Sequence, residues 1–267
     1  MTEFSATGET ALRLGAFLGI LAAMMIWEVL APRRARWAGR GERWTVNLGI
    51  AVVNALMLRF LFPIAAAGTA VWAETRGIGL FNAVALPGPV AVVAAILVLD
   101  VAIYAQHVVF HKVPILWRLH RMHHADVDFD TTTGVRFHPI EIALSMLYKM
   151  ALVLALGAPV VAVVAFEILL NATSMFDHGN VRLPAGIDRI LRLAIVTPDM
   201  HRVHHSIHRD ETDSNFGFNL SVWDRLFATY RPQPRDGHEG MTIGLPIFRD
   251  PADRRLDRLL MQPFLGN

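Results

Sequence analysis

Residues 139–177 read PIEIALSMLYKMALVLALGAPVVAVVAFEILLNATSMFD, an apolar stretch with His138 before it and His178 after it. Near its middle stands Gly157-Ala158-Pro159, typical of a helix end followed by a residue that cannot continue the helix. Each arm is then about 19 residues, or about 28 Å, which is enough to cross a bilayer. We expect both histidines to reach one site on the same side, so residues 139–177 are predicted to form a helical hairpin or two spans.

Two opposite charges interrupt the hairpin. Lys149 lies 11 residues after His138, and Glu167 lies 11 residues before His178. At the helical rise per residue, both sit about 16 Å from the same membrane surface. Either charge alone in hydrocarbon would cost at least about 2.5 kcal/mol, so the sequence predicts an ion pair between the two arms.

The rest of the chain is also strongly apolar. Of its 267 residues, 54% are hydrophobic and 18% are charged, which is too apolar for an ordinary soluble domain. Three more runs, at residues 11–31, 46–68 and 89–106, are long enough to span a membrane as helices. The first lacks the features of a secretory signal and is interpreted as a retained anchor. We predict an all-α integral membrane protein, residues 1–267 forming one membrane domain with about four transmembrane helices.

The distribution of arginines predicts which side of the membrane each loop of this domain faces. A group of them lies between the first two spans: Arg33, Arg34, Arg36, Arg40 and Arg43. The positive-inside rule then places that loop in the cytoplasm. The later spans deliver residues 107–138 and 178–267 to the same side, where we expect a histidine-rich helical cap. A multi-pass protein of a bacterial inner membrane is favoured, and a net charge of +2 gives no reason to expect nucleic-acid binding.

Ten of the 12 histidines fall into a closely spaced pattern that metal binding explains. On a helix, imidazoles at i, i+3 and i+4 point from one face toward a common point. So many donors exceed the needs of one ion, and two first-row metal ions are expected. No group has the His-Glu-x-x-His order of a metalloprotease, and the chain has no cysteine. The histidines are His107, His111, His120, His123, His124, His138, His178, His201, His204 and His205.

The motifs around these histidines resemble the fatty acid hydroxylase / sterol desaturase superfamily. They run in the family's order from about residue 95 to 232. The segments are DVAIYAQHVVFH at 100–111, HRMHH at 120–124, RFHPIE at 136–141, FDHGN at 176–180, TPDMHRVHH at 197–205, NFG at 215–217 and WDRLFATY at 223–230. The last two are similar to the family's bacterial members and its alkylglycerol monooxygenase branch. Ala228 departs from the pattern, which would favour glycine at that turn.

The resemblance implies a membrane-embedded di-iron oxidoreductase that uses O₂ and two external electrons to hydroxylate or desaturate a lipid C–H bond. The ten histidines would hold two Fe ions, with zinc possible as a substitute, and no catalytic residue is assigned beyond the metal centre. A ligating histidine usually donates its second N–H to an oxygen, so oxygen-bearing partners are expected. The candidates are Asp100, Glu141, Asn180, Asp199, Asn215 and Asp224. Asp100 is the preferred one, because it stands in an apolar run a few helical turns before His107 and His111, where an uncompensated carboxylate would be costly.

The substrate class stays open among fatty acyl, sterol-like, ether-lipid and carotenoid chains. The sequence has no nucleotide, flavin or haem motif, so we expect an external electron donor, a ferredoxin or cytochrome b5-like protein. Arginines near the metal groups could steer it: Arg118, Arg121, Arg202 and Arg209.

Two other functional classes remain open on the same pattern. One is a dinuclear zinc hydrolase, although no acidic residue stands inside a histidine group as a general base. The other is a non-catalytic metal-binding membrane protein, although a closed structural site needs only four donors per metal.

Overall fold

The computed structural model describes residues 6–84 and 86–266, and within them every regular element is helical. The first half contains α1 Ala6–Leu30, α2 Arg40–Leu61, α3 Ala65–Arg76, α4 Leu80–Val84, α5 Gly88–Lys112 and α6 Pro114–His124. The second half contains α7 Pro139–Leu156, α8 Val160–Asp177, α9 Ala185–Leu191, α10 Pro198–His204, α11 Arg209–Thr212, α12 Val222–Leu226, α13 Gly237–Gly240 and α14 Leu256–Met261. Short 3₁₀ turns lie at Thr133–Val135, Pro251–Arg254 and Gln262–Phe264. The all-α class predicted from the sequence is confirmed.

Five described segments are long and apolar enough to cross a membrane, where about four were predicted. They are Gly8–Leu30, Arg40–Val84, Gly88–Lys112, Pro139–Leu156 and Val160–Asp177. The difference comes from the hairpin, whose arms are separate helices of 18 residues each, or about 27 Å at the helical rise. Each arm therefore counts as a full crossing.

The predicted span at 46–68 is two helices instead of one. α2 ends at Leu61 and α3 begins at Ala65. Between them lies Pro63, which has no backbone N–H and whose ring obstructs the preceding helical turn. α2 alone, with 22 residues, is long enough to cross, and α3 packs against α7 and α8.

The hairpin turn forms where the sequence predicts it. α7 ends at Leu156, Gly157 adopts a left-handed φ of 63°, and α8 starts directly after Pro159. The backbone of the α3–α4 turn also approaches here. A Cβ at Gly79 would lie 2.1 Å from the Gly157 nitrogen, so this contact requires glycine.

The apolar core lies among α3, α5, α7 and α8, and it includes Ala70, Leu99, Val163 and Phe166. α1 packs along the outside of α8. α5 continues six residues past the predicted end of its span and finishes at Lys112. Residues 113–138 and 178–266 form the cap at this end of the helices, so the first predicted histidines belong to the end of a long membrane helix.

Buried ion pairs fix the cap to the start of α2. Arg43 is 2% exposed, and its Nη2 lies 2.7 Å from Oδ2 of Asp126. Its Nη1 pairs with Asp130, which also binds Arg36 at 2.9 Å. An unpaired charge buried this deeply would be very unfavourable, so these contacts hold the loop after α6 in one position.

Candidate metal centre

Nine of the ten predicted histidines meet in two buried clusters. In each cluster the candidate ligand atoms all lie within 4.8 Å of one another. The first cluster is His107, His111, His120, His124 and His204. The second cluster is His123, His178, His201 and His205. Since all nine are at most 4% exposed, water does not solvate these imidazoles freely.

The chain has two His-x-x-His-His segments, residues 120–124 and 201–205, and each is divided between the two clusters. In α6, His120 and His124 are one helical turn apart and enter the first cluster, whereas His123 enters the second. In the segment at α10 the assignment is reversed: the middle histidine, His204, joins the first cluster. His201 and His205 join the second. Each His-x-x-His-His segment therefore contributes imidazoles to both clusters, and the two clusters lie side by side.

Inward ring nitrogens approach one another at the separation expected of ligands of one ion. Nε2 of His107 lies 3.1 Å from Nε2 of both His120 and His204. Nε2 of His178 lies 3.2 Å from Nε2 of both His123 and His201. Two nitrogens bound at 2.0–2.1 Å to one ion, with ligand angles of 90–109°, are about 2.8–3.4 Å apart. The geometry of both clusters therefore fits a metal ion.

Outward ring nitrogens of six of these histidines face oxygen atoms. Backbone carbonyls lie near Nδ1 of three: Phe216 beside His107 at 2.7 Å, Ser214 beside His204 at 2.7 Å and Arg136 beside His123 at 3.2 Å. Carboxylates lie near Nδ1 of the others: Glu141 beside His120 at 2.6 Å, Asp177 beside His178 at 2.5 Å and Asp213 beside His111 at 3.3 Å. When Nδ1 carries the proton, its N–H donates a hydrogen bond to the neighbouring oxygen. The lone pair of Nε2 then faces inward, toward the other imidazoles.

Of the oxygen-bearing partners predicted from the sequence, only Glu141 contacts an imidazole of the clusters. Asp100, the preferred candidate, instead accepts from Nδ2 of Asn219 and Nε1 of Trp223, each at 2.7 Å. Asp100 therefore joins α5 to the segment of the cap that contains Asn219 and Trp223. It contacts no clustered imidazole, contrary to the prediction that it orients one.

Two predicted partners, Asp224 and Asn215, bind backbone groups of the loop around residue 216 and contact no clustered ring. Asp224 accepts from the backbone N–H of Phe216 at 2.7 Å, and the carbonyl of Phe216 faces His107. Asn215 donates to the carbonyls of Met200 and Arg231, at 2.8 Å each. Both side chains shape the loop that carries the carbonyl contacts, and neither touches a clustered ring.

The remaining two predicted partners bind the arginine-rich loop between α1 and α2. Asp199 pairs with Arg202 and accepts from Arg33 at 3.2 Å. Asn180 accepts from the backbone N–H of Arg34 at 3.1 Å. Both therefore attach this loop to the cap, and the sequence pattern alone did not distinguish this role from orientation of a ligand.

Two carboxylates that contact clustered rings, Asp177 and Asp213, are not among the partners predicted from the sequence. Asp177 directly precedes His178 in the FDHGN segment at 176–180, so its adjacency to a predicted ligand is a signal in the sequence. Asp213 lies 102 residues after His111 and carries no recognisable signal.

His138 lies outside both clusters, contrary to the prediction that it is a ligand. It precedes the first residue of α7, where its Nδ1 accepts from the backbone N–H of Ile140 at 3.2 Å. Its Nε2 faces the carbonyl of Leu260 at 3.3 Å. Both ring nitrogens are therefore engaged with backbone groups, and the residue caps a helix.

Aromatic rings enclose the clusters. Phe137 stacks on His123 with ring centres 4.4 Å apart and planes 10° apart. Phe218 stacks on His107 at 4.9 Å, and Phe129 stacks on His178 at 5.4 Å. Trp117 lies 4.8 Å from His111. This apolar surround limits access of water to the centre.

Burial lowers the pKa of the cap histidines well below the ordinary value of 6.5, and neighbouring imidazoles lower it further. The affected residues are His123, His124, His201, His204 and His205. These side chains are therefore neutral near pH 7 and have a lone pair for a metal.

The donor set also matches a metal centre. Nε2 of His111, His124 and His205 is buried without a hydrogen-bond partner among the described residues. Buried polar nitrogens are rarely left unpaired, and metal coordination would satisfy them. A set made only of imidazoles suits iron, zinc, copper or nickel better than magnesium or calcium.

Comparison with known proteins agrees with these observations. The family model described as fatty acid hydroxylase matches residues 92–229, which is more than half of the chain and contains all nine clustered histidines. No solved structure matches the chain significantly.

Several characterised proteins are similar at modest identity. Alkylglycerol monooxygenase of Xenopus tropicalis is 27% identical over 84% of this chain and 49% of its own length. Ornithine lipid hydroxylase OlsE of Rhizobium tropici is 28% identical over 82% of this chain and 67% of its own length. Cholesterol 25-hydroxylase of Rattus norvegicus is 24% identical over 54% of this chain and 47% of its own length. The chain thus spans about half the length of the first of these relatives.

Proposed function

The chain belongs to the fatty acid hydroxylase family, and we propose that it is a membrane-bound di-iron oxidoreductase that hydroxylates a lipid C–H bond with O₂ and two external electrons. The observation that carries this proposal is the pair of adjacent all-histidine clusters at the end of the membrane helices. Hydroxylation is favoured over desaturation because the similar proteins named above are hydroxylases or monooxygenases.

Iron bound at the two clusters would supply O₂ activation and C–H oxidation. The chain's own residues would position the iron ligands and exclude water from the centre. Glu141 and Asp177 hold the rings of His120 and His178 from outside, so the inward nitrogens keep one orientation. Phe137 and Phe218 cover His123 and His107 and keep water away from a reactive centre.

The proposed substrate is a long-chain lipid, of the fatty acyl, sterol-like or ether-lipid class. The named substrates of the similar proteins are an alkylglycerol, an ornithine lipid and cholesterol. α5 runs from the apolar span directly to His107 and His111, which supports delivery of a chain from the bilayer to the centre.

We propose that the cap faces the cytoplasm, in a bacterial inner membrane. The arginine-rich loop contacts the cap: Arg33 binds Asp199, and Arg34 donates to the carbonyl of Met241 at 2.8 Å. Loop and cap therefore share one side, and the positive-inside rule assigns that side to the cytoplasm.

An external electron donor is part of the proposal, a ferredoxin or cytochrome b5-like protein. Of the arginines predicted to steer it, Arg121 and Arg202 are at most 1% exposed and cannot meet a partner. Arg118 and Arg209 are exposed. Any electrostatic steering by this group therefore depends on Arg118 and Arg209.

The test is incorporation of oxygen from ¹⁸O₂. Membranes from cells with and without the chain are supplied with a reductant system and analysed by lipid mass spectrometry. We expect a lipid that carries one ¹⁸O atom in the presence of the chain and none with His123→Ala or His204→Ala. A zinc-loaded protein that instead hydrolyses a lipid, with label entering only from water, would contradict the proposal and favour the hydrolase.

A further inference from the structure

An open cleft lies between α1 and α2 on the outside of the helix bundle. α1 packs along α8, whereas α2 packs against α7, and the space left between them is about 240 Å³. Its wall is apolar and consists of Met25, Ile26, Val29, Leu30 and Trp44. These residues come only from α1 and α2, which carry none of the nine clustered histidines.

The cleft opens at the cap end of the membrane region. Leu30 is the last residue of α1, and Trp44 lies near the start of α2. The loop between them carries Trp37, which is 64% exposed. Tryptophan is enriched at the membrane–water interface, so these rings mark the depth at which lipid headgroups lie.

A cation with no ionic partner among the described residues lies over Trp44, which forms part of the wall of this cleft. The guanidinium carbon of Arg40 lies 5.4 Å from the ring centre of Trp44. Its Nε is buried without a hydrogen-bond partner, and no ion pair joins Arg40 to any residue that the structure describes. Arg36, also over Trp44, differs because it pairs with Asp130 at 2.9 Å.

We propose that this cleft is a binding site for an anionic bilayer phospholipid. One acyl chain lies along the apolar wall from Met25 to Leu30, and the phosphate pairs with Arg40. The apolar wall and the unneutralised guanidinium are adjacent, which matches the two chemical parts of such a lipid. The lipid is a bound partner of the fold and not the substrate, because the cleft lies outside the metal centre. The proposal stands whether or not the chain is a hydroxylase.

Fluorescence quenching in nanodiscs tests the site. The chain has six tryptophans, so the signal of Trp44 is taken as the difference between the protein and its Trp44→Phe variant. Acyl-brominated phosphatidylglycerol and phosphatidylcholine serve as quenchers. We expect phosphatidylglycerol to quench Trp44 at about a fivefold lower mole fraction, the effect of one arginine near an anionic lipid.

Two variants separate the headgroup from the chain. Arg40→Gln is expected to remove the preference for phosphatidylglycerol. Arg59→Gln, at the opposite end of α2, is the matched control and should keep it. Val29→Phe fills the cleft and should weaken quenching by both lipids. Thermal unfolding and metal content of each variant verify that the fold is retained.

Native mass spectrometry provides a readout that does not depend on Trp44. We expect phosphatidylglycerol to stay on the protein and to be lost from Arg40→Gln. Equal quenching by both lipids in the unaltered protein would mean ordinary lipid contact only and would overturn the proposal. So would an unchanged preference in Arg40→Gln, or loss of the preference on adding inorganic phosphate alone, which would indicate a site for a free anion.

Discussion

Nζ of Lys149 lies 2.7 Å from Oε1 of Glu167, across the two arms of the membrane hairpin. The other carboxylate oxygen lies 2.7 Å from Nη2 of Arg13 on α1. Glu167 is 3% exposed, so one carboxylate joins three helices inside the apolar region. The predicted ion pair is confirmed, and Arg13 is a partner that the sequence did not indicate.

Removing Glu167 should destabilise the fold more than removing Lys149. Glu167→Leu leaves Lys149 without its carboxylate, at a cost of about 3 kcal/mol, whereas Lys149→Met leaves Glu167 paired with Arg13. The double variant should unfold at a higher temperature than Glu167→Leu, because Arg13 retains Glu9 at 3.0 Å. Thermal unfolding in detergent measures this, with Arg76→Met as control. A double variant no more stable than the worse single one would contradict the pairing.

Metal content should distinguish His138 from the clustered histidines. We expect about two metal ions per chain in the unaltered protein. His138→Ala should retain both, because its nitrogens engage backbone groups. His204→Ala should lose metal from the first cluster. Elemental analysis of purified protein measures this, and metal loss on His138→Ala in folded protein would argue that His138 is a ligand after all.

Glu141→Ala should weaken metal retention by about 10–100-fold, because His120 loses the acceptor that orients its ring. Asp100→Asn is the comparison, since Asp100 contacts Asn219 and Trp223 and no clustered histidine. It should lower thermal stability and leave metal affinity nearly unchanged. Competition with a chelator measures both affinities, and equal effects of the two substitutions would contradict these assignments.

Acidification should destabilise the metal-free protein. The cap histidines have a pKa well below 6.5 in the fold, mainly because they are buried. The unfolded chain therefore binds more protons below about pH 6.5, and stability falls as pH decreases through that value. Thermal unfolding between about pH 7.5 and 5.5 should show a steadily decreasing midpoint. Metal release should follow the same direction, because protonated imidazole cannot coordinate. A midpoint that rises on acidification would contradict the assignment of neutral histidines.

Ala228→Gly should stabilise the protein by about 0.5–1 kcal/mol. Ala228 has a φ of 57°, in the left-handed region where a Cβ is unfavourable, and its side chain is exposed. Ala23→Gly, at an exposed helical position of α1, is the control and should not stabilise. Thermal unfolding compares the two variants. A lower midpoint for Ala228→Gly would mean that the methyl group makes a contact worth more than the strain.

The sequence determined those features that follow from local backbone geometry. Gly157 and Pro159 mark the hairpin turn because one adopts a left-handed φ and the other cannot continue a helix. Lys149 and Glu167 could be placed at one depth because the rise of a helix is constant. The spacing of the histidines indicated a metal centre for the same reason, since a helix fixes which side chains share a face.

Only the tertiary structure decided how segments far apart in the chain meet. His107 and His204 are 97 residues apart in the sequence and face each other in the first cluster. His123, although it lies between two histidines of the first cluster in α6, belongs to the second. The carbonyls of Phe216 and Ser214 orient two of the rings, and a backbone carbonyl has no signature in the sequence. His138 and Asp100 have residue types suited to the metal centre, but packing directs them to Leu260 and Trp223. Residue type and helical period restrict which side chains can share a face, whereas the partner across that face is selected by the packing of the whole bundle.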